Sequence, residues 1–463
     1  MSFSERFERV FKNVLPSPFS LAVVLSVLIL ACALLFFKPD SYSSGRHFTT
    51  VLQYWYDGIW SAPLLVFGYQ MILILVLGHA LALSRPANQV IKVLTRYCTT
   101  TPKAALIVSA TCILLGLVNW GLALIFGAIL ARKVAEYSVE KGYPINYPLI
   151  AASGYTGLMV WHGGISGSSL LKVAEPGHLN ELTTNSAFFS SVDLPDFIGF
   201  SQTVFSEMNI AVSLALLIIV PFGAYALGKN SPSTHNILRK FKLEEDDENK
   251  KPGWAERFDL KLGPALVLGF LILMTDTIIA TSSINSGAND FMSPNFINTA
   301  LLGLGLIAHG SLSRFAWAVK QAIPGASGIL IQFPLYFGIL GIMQNTGMVT
   351  SISNLVASIS GPQTFFINTF FSAGFVNILV PSGGGQWMVQ GPILLETASK
   401  LNLPLSKSIM ALAYGDQITN MLQPFWALPL LSITGLKARE ILPYTLYFML
   451  IGILIFIAGL LFF

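Results

Sequence analysis

Long apolar runs recur along the chain, and four of them, Ser17 to Phe37, Ile210 to Leu227, Gly263 to Ala280 and Tyr444 to Phe463, stand out. Each approaches or exceeds the roughly 18–20 apolar residues that cross hydrocarbon as a helix. The full pattern predicts spanning helices near 17–37, 61–84, 148–171, 203–228, 262–281, 296–313, 322–343, 407–432 and 441–463. Two more apolar stretches, 102–131 and 364–399, are interrupted midway, at Asn119-Trp120-Gly121 and at Pro381-Ser382-Gly383-Gly384-Gly385.

Composition agrees with lipid as the solvent, since 53% of the 463 residues are hydrophobic and only 11% are charged, well below the roughly 25% of soluble domains. The first run continues unbroken through Phe37, too long for a signal-peptide core, and reads as the first spanning helix. Cys32, Cys98 and Cys112 have no metal-ligand spacing, so neither a disulfide framework nor a metal site is expected. The net charge of +4 is distributed in short clusters between spans. It speaks for membrane topology and against nucleic acid.

Those clusters decide how the interrupted stretches run. With the amino terminus in the cytoplasm, Arg85, Lys92, Arg96 and Lys103 face inward. If 102–131 is a re-entrant hairpin, Arg132, Lys133 and Lys141 also face inward. The loop 172–200, with Glu175, Glu181, Asp193 and Asp196, then lies outside, and 229–261, with eight Lys or Arg residues, inside. Two full spans would expose the most basic loop to the outside, against the positive-inside rule. A second hairpin at 364–399 returns Lys437 and Arg439 to the cytoplasm and leaves Lys400 and Lys407 as the mild exceptions.

The two halves repeat each other. Gln70 matches Gln332, Val118-Asn119 matches Val376-Asn377, Gly127 matches Gly391, and Ala152 with Gly154 matches Ala413 with Gly415, at a nearly constant offset of about 260 residues. The expected architecture is an all-α integral membrane fold of two inverted-topology repeats with re-entrant hairpins and broken transmembrane helices. Residues 1–228 form the first repeat, 229–261 a cytoplasmic linker, and 262–463 the second repeat with one extra helix at 263–280. Inverted repeats interrupted at matching places point to a secondary transporter with its site near the midplane.

Backbone opened inside a membrane must face protein or a water-filled cavity, so the interruptions nominate the site. Half-helix amino termini suit a carboxylate, and the apolar spans offer no well-placed Lys or Arg to compete for that role. The substrate-binding candidates are Asn119, Trp120, Gly121, His162, Gly163, Gly164, Ser166, Asn377, Ser382, Gly383, Gly384, Gly385, Gln386 and Gln423. The glycines can equally serve close helix packing. Asp416 is the acid set deepest in the second half; it either carries a coupling proton, ligates sodium with Asn420, or caps a helix at the interface. His162 either titrates or is a fixed hydrogen-bonding group. Gln70 and Gln332 either line the site or bond between helices.

An enzyme is not expected. His162-Gly163-Gly164 looks like part of a lipase oxyanion motif, but no Gly-x-Ser-x-Gly elbow, His-Glu-x-x-His or phosphate loop accompanies it. No cofactor is called for beyond a coupling proton or sodium ion.

The runs Val380 to Pro392, Met410 to Asp416 and Gln423 to Pro429, together with Val118 to Gly121 and Gly163 to Ser168, resemble the bacterial short-chain fatty acid transporter family over almost the whole chain. The resemblance implies inner-membrane uptake of acetoacetate, butyrate or similar monocarboxylates, and kinship with a superfamily of ion transporters whose members are often homodimers. Three positions depart from the family pattern: Gln386 where histidine is common, Asp416 where glutamate is common, and His162 where glycine is common. The rival readings are a carrier of another anion such as a dicarboxylate, which would need a second positive group, and a sodium/proton exchanger, which more usually needs paired acids.

Overall fold

The computed structural model describes residues 18–184, 188–190, 192–231, 258–285, 293–362, 364–379 and 383–463. Most of the expected linker, the basic residues before Pro18, and Ser382 with its neighbours Val380 and Pro381 lie outside them. Among the described residues the fold is entirely helical, without strands.

Each half contains a helical pair followed by a broken helix. After α1 (Pro18–Phe36), α2 (Ser44–Ile59), α3 (Ala62–Ala82) and α4 (Arg85–Tyr97) comes a helical pair, α5 (Thr101–Val118) and α6 (Trp120–Lys141). A broken helix follows: α7 (Tyr147–Tyr155), 3₁₀ turns at Thr156–Met159 and Trp161–Gly163, then α8 (Ser168–Val173). Short α9 (His178–Thr183) and long α10 (Glu207–Asn230) complete this half. The second half runs α11 (Leu262–Asn285), α12 (Pro294–His309), α13 (Leu312–Asn345) and α14 (Met348–Ile359). Its helical pair is α15 (Phe365–Leu379) with α16 (Gly383–Lys400). Its broken helix is α17 (Leu405–Thr419), a 3₁₀ turn at Asn420–Leu422 and α18 (Pro424–Thr434), and α19 (Ala438–Phe462) is last.

Six of the described helices, α3, α5, α10, α11, α13 and α19, are long and apolar enough to cross a membrane. Three helices escape a reading based on span length. α2, α4 and α14 hold 16, 13 and 12 residues and bury only one face; in α2 that face is His47, Val51 and Gly58. The stretch between the expected helices at 296–313 and 322–343 is also helical: α13 is one 34-residue helix that continues through Pro324 and Pro334.

Contacts sort the connections into two groups. The backbone N–H of Asn146, after α6, donates to Thr101 Oγ1 at the start of α5 (2.8 Å). Asn146 Nδ2 donates to Tyr444 of α19 (2.9 Å), and the end of α10 packs on Pro102 through Gly228. Buried Arg132 reaches the carbonyl of Thr434 (3.4 Å), which also accepts from Tyr147 (2.9 Å). A cation thereby caps the negative end of half-helix α18. The basic segments 85–103, 132–141 and 437–439 thus gather together. In the other group, Lys400 at the end of α16 reaches Asn354 of α14 (2.5 Å) and the buried carboxylate of Glu396 (2.6 Å). Lys407 sits over the ring of Phe366 at the start of α15 (4.3 Å), and Lys400 over Phe188 (5.1 Å). Gln344 bonds to Leu182. Both helical pairs therefore end beside where they begin, in opposite groups.

Candidate functional site

The two pair tips and the two helix breaks meet in the interior. At the first tip one residue, Asn119, leaves the helical conformation; its side-chain oxygen accepts from Leu122 N–H (2.8 Å) and caps α6. Trp120 N–H then donates to Ser166 Oγ (3.1 Å), and Ile165 N–H to the carbonyl of Leu117 (2.8 Å), fixing this tip to the α7–α8 break. At the second tip, a β-carbon on Gly383 would lie 2.7 Å from the Trp161 ring, 2.9 Å from Asp416 Oδ2 and 2.9 Å from His162. Only glycine lets this tip approach both breaks at once.

A narrow pocket lies where these elements converge. Trp120, Trp161, Gly383, Gly384 and Asn420 line it, with apolar walls from Met71, Leu158, Phe333 and Trp426. Trp120 and Trp161 lie 5.7 Å apart, and Trp426 meets Trp120 edge-on at 5.4 Å.

Beside the pocket, fully buried His162 contacts fully buried Asp416, Nδ1 to Oδ2. The backbone N–H of Ser169 donates to His162 Nε2 (3.0 Å), and an amide N–H cannot accept. Nε2 is therefore the acceptor, also of the Ser169 hydroxyl (2.7 Å), and Nδ1 carries the proton donated to Asp416. Of the two readings of His162, this geometry supports the fixed hydrogen-bonding group. Asp416 is fully buried within the last turn of α17. Its Oδ1 has no partner among the described residues. Gln417 Oε1 accepts the amides of His162 (2.8 Å) and Gly163 (3.0 Å), holding the break against α17.

Oxygen atoms crowd the second break. Asn377 Nδ2 lies within hydrogen-bonding distance of the Asp416 carbonyl (2.6 Å), Thr419 Oγ1 (2.9 Å) and Asn420 Oδ1 (2.9 Å). Gln423 Nε2 donates to the carbonyl of Asn377 (2.7 Å). Asn377 Oδ1 and Gln423 Oε1, like Asp416 Oδ1, have no partner among the described residues.

Not every candidate joins the pocket. Gly121 packs on the backbone of α3, Gly163 on Asn209, Gly164 on Leu117 and Gly385 on Tyr336; these four serve close packing. Gln386 bonds inside its own pair, to the Ala373 carbonyl and Gln390 (both 2.9 Å). Gln70 bonds to Asn295 of α12 (3.0 Å), an interhelical role. Sequence reasoning missed Trp161 and Trp426 as pocket residues, although Trp161 precedes the candidate His162 and Trp426 lies three residues after the candidate Gln423. It also missed Ser169 and Gln417. Lys172 is 4% exposed at the end of α8, paired with Glu175, and lines a separate, more polar cavity with His178 and Glu181.

The profile of the family described as short chain fatty acid transporter matches residues 2–463. A protein of Escherichia coli provisionally named short-chain fatty acid transporter is 34% identical over 450 residues, covering 96% of each chain. One from Haemophilus influenzae with the same provisional name is 33% identical over 459 residues, covering 99% of this chain and 98% of the relative. Two solved membrane proteins share the fold. MtrF of Neisseria gonorrhoeae, from a work on antimetabolite efflux pumps, aligns with a TM-score of 0.54 at 16% identity over 98% of this chain and 97% of its own. The YdaH transporter of Alcanivorax borkumensis, described as having an unusual topology, gives 0.58 at 14% over 96% and 98%.

Proposed function

Because this chain belongs to the short chain fatty acid transporter family, we propose that it carries monocarboxylates such as acetoacetate or butyrate across the inner membrane by alternating access. It is a multi-pass membrane transport protein and not an enzyme. The observation that carries the proposal is the meeting of both pair tips and both breaks around one narrow pocket with apolar walls. Its apolar walls suit a short alkyl tail, and the half-helix ends favour the charged head.

The two groups of connections support re-entrant hairpins that enter from opposite faces, with the basic group, and so the amino terminus, in the cytoplasm. Residues 1–228 and 262–463 then form inverted repeats, α11 being the extra helix and 229–261 a cytoplasmic linker. A homodimer is part of the same reading.

Coupling follows from electrostatics. A substrate carboxylate in the pocket would share a poorly solvated space with Asp416, and two such charges disfavour each other. Both ring nitrogens of His162 are already engaged, Nε2 by Ser169 and Nδ1 by Asp416, so the ring offers the pocket no free donor. A proton on Asp416 Oδ1, or a sodium ion held by Asp416 and Asn420, would neutralise the acid as the anion binds. Anion and cation would then enter together, which is symport. A dicarboxylate would need a cation facing the pocket; Lys172 lines a different cavity and is already paired with Glu175.

The test is uptake of labelled butyrate and acetoacetate into proteoliposomes under imposed proton or sodium gradients. Saturable, gradient-driven accumulation is expected. Absence of saturable uptake of either acid would end the proposal.

A further inference from the structure

Two hydrogen-bond donors at the central pocket have nothing to donate to. Trp120 Nε1 and Trp161 Nε1 are enclosed and lack partners among the described residues, and each side chain is only 6% exposed. Both rings line the pocket, 5.7 Å apart. An indole N–H can only donate, and a buried donor left unpaired carries a desolvation penalty that native structures rarely leave standing. Two such donors on adjoining rings call for an acceptor with two oxygens. Of the other unpartnered groups among the described residues, the amide oxygens of Gln70, Asn298 and Gln386 only accept and cannot take an anion, and Tyr336, whose hydroxyl can donate, does not line the pocket.

Resting on the carrier reading above, we propose that the substrate carboxylate is held by the indole N–H groups of Trp120 and Trp161, one oxygen to each, with the alkyl tail against Met71, Leu158 and Phe333. Both rings are held in place. Trp120 follows the Asn119 cap and meets Trp426 edge-on, and Trp161 stacks on His162 at 4.6 Å with the planes 14° apart. The grip therefore lies against the His162–Asp416 pair, where the coupling ion acts. One donor belongs to a hairpin tip and the other to a helix break. The hydrogen bonds that fix this tip to that break hold the two donors together as one unit.

The experiment uses the full chain in proteoliposomes and compares KM for acetate, propionate and butyrate in the wild type, Trp120→Phe and Trp161→Phe. Phenylalanine keeps an aromatic wall and removes the donor. Each variant should raise KM roughly 10- to 100-fold, the range of a hydrogen bond to a charged group, and by the same factor for all three acids. A KM within about twofold of wild type in both variants overturns the proposal, and so does a factor that grows with tail length, which marks a lost apolar wall. Should a variant not fold, ¹⁵N-tryptophan spectra of the wild type in detergent decide. Butyrate should move two of the eight indole N–H resonances downfield, and no movement overturns the proposal. A wild type that transports none of the acids ends the carrier reading and this inference together, whereas normal wild-type transport with unaffected variants ends the inference alone.

Discussion

The imidazole of His162 donates through Nδ1 to the carboxylate of Asp416, joining the break of the first half to a helix of the second at a point sealed from solvent. The contact leaves Asp416 Oδ1 without a partner among the described residues, beside a pocket whose expected guest is an anion. Charge at this one atom should decide whether transport is driven or merely facilitated.

Asp416→Asn keeps the shape and removes the charge. Gradient-driven accumulation of butyrate should fall at least roughly tenfold while counterflow between labelled and unlabelled butyrate persists. Unchanged accumulation would take Asp416 out of the coupling step.

His162→Ala leaves the carboxylate without its donor and the Ser169 amide without its acceptor. Each orphaned buried group costs about 1–3 kcal/mol, so the apparent melting temperature in detergent should drop by several degrees. A melting curve identical to wild type would contradict the buried pair.

Gly384→Ala places a β-carbon 2.6 Å from Phe67 and 3.1 Å from Phe333, whose rings stack at 5.8 Å. Overpacking of this kind costs about 1–3 kcal/mol, and here it pushes apart aromatic rings next to the pocket. Uptake should be lost while the protein still reaches the membrane at normal levels; full uptake would show that this tip is not tightly packed during transport.

Tail length should be read through apolar contact. At about 0.8 kcal/mol per buried methylene, KM should fall about fourfold for each carbon added from acetate to butyrate. Leu158→Ala should flatten that trend, and a series equally steep in the variant would remove Leu158 from the wall.

The interruptions were legible because a polar or glycine-bearing segment inside an apolar run has few places to hide in lipid, and both lead to the pocket. What stayed hidden has physical reasons. α2, α4 and α14 are short and half polar, so a search for spans passes over them. Trp161 and Trp426 carry the same apolar signal as residues that face lipid, and only the fold turns them inward. Lys172 looks solvated in sequence until the break draws α8 into the interior. Of the three departures from the family pattern, His162 and Asp416 prove to touch each other, while Gln386 bonds within its own helical pair.

The account depends on each hairpin returning to the face it left. Single cysteines at Lys103→Cys, Lys141→Cys, Thr364→Cys and Lys400→Cys, in a chain freed of Cys32, Cys98 and Cys112, can be probed with an impermeant maleimide in right-side-out and inside-out vesicles. The account predicts labelling of 103 and 141 only from the cytoplasmic face and of 364 and 400 only from the opposite face. Labelling of either pair from both faces, one member from each, would mean that the segment crosses the bilayer, and would contradict the shared pocket.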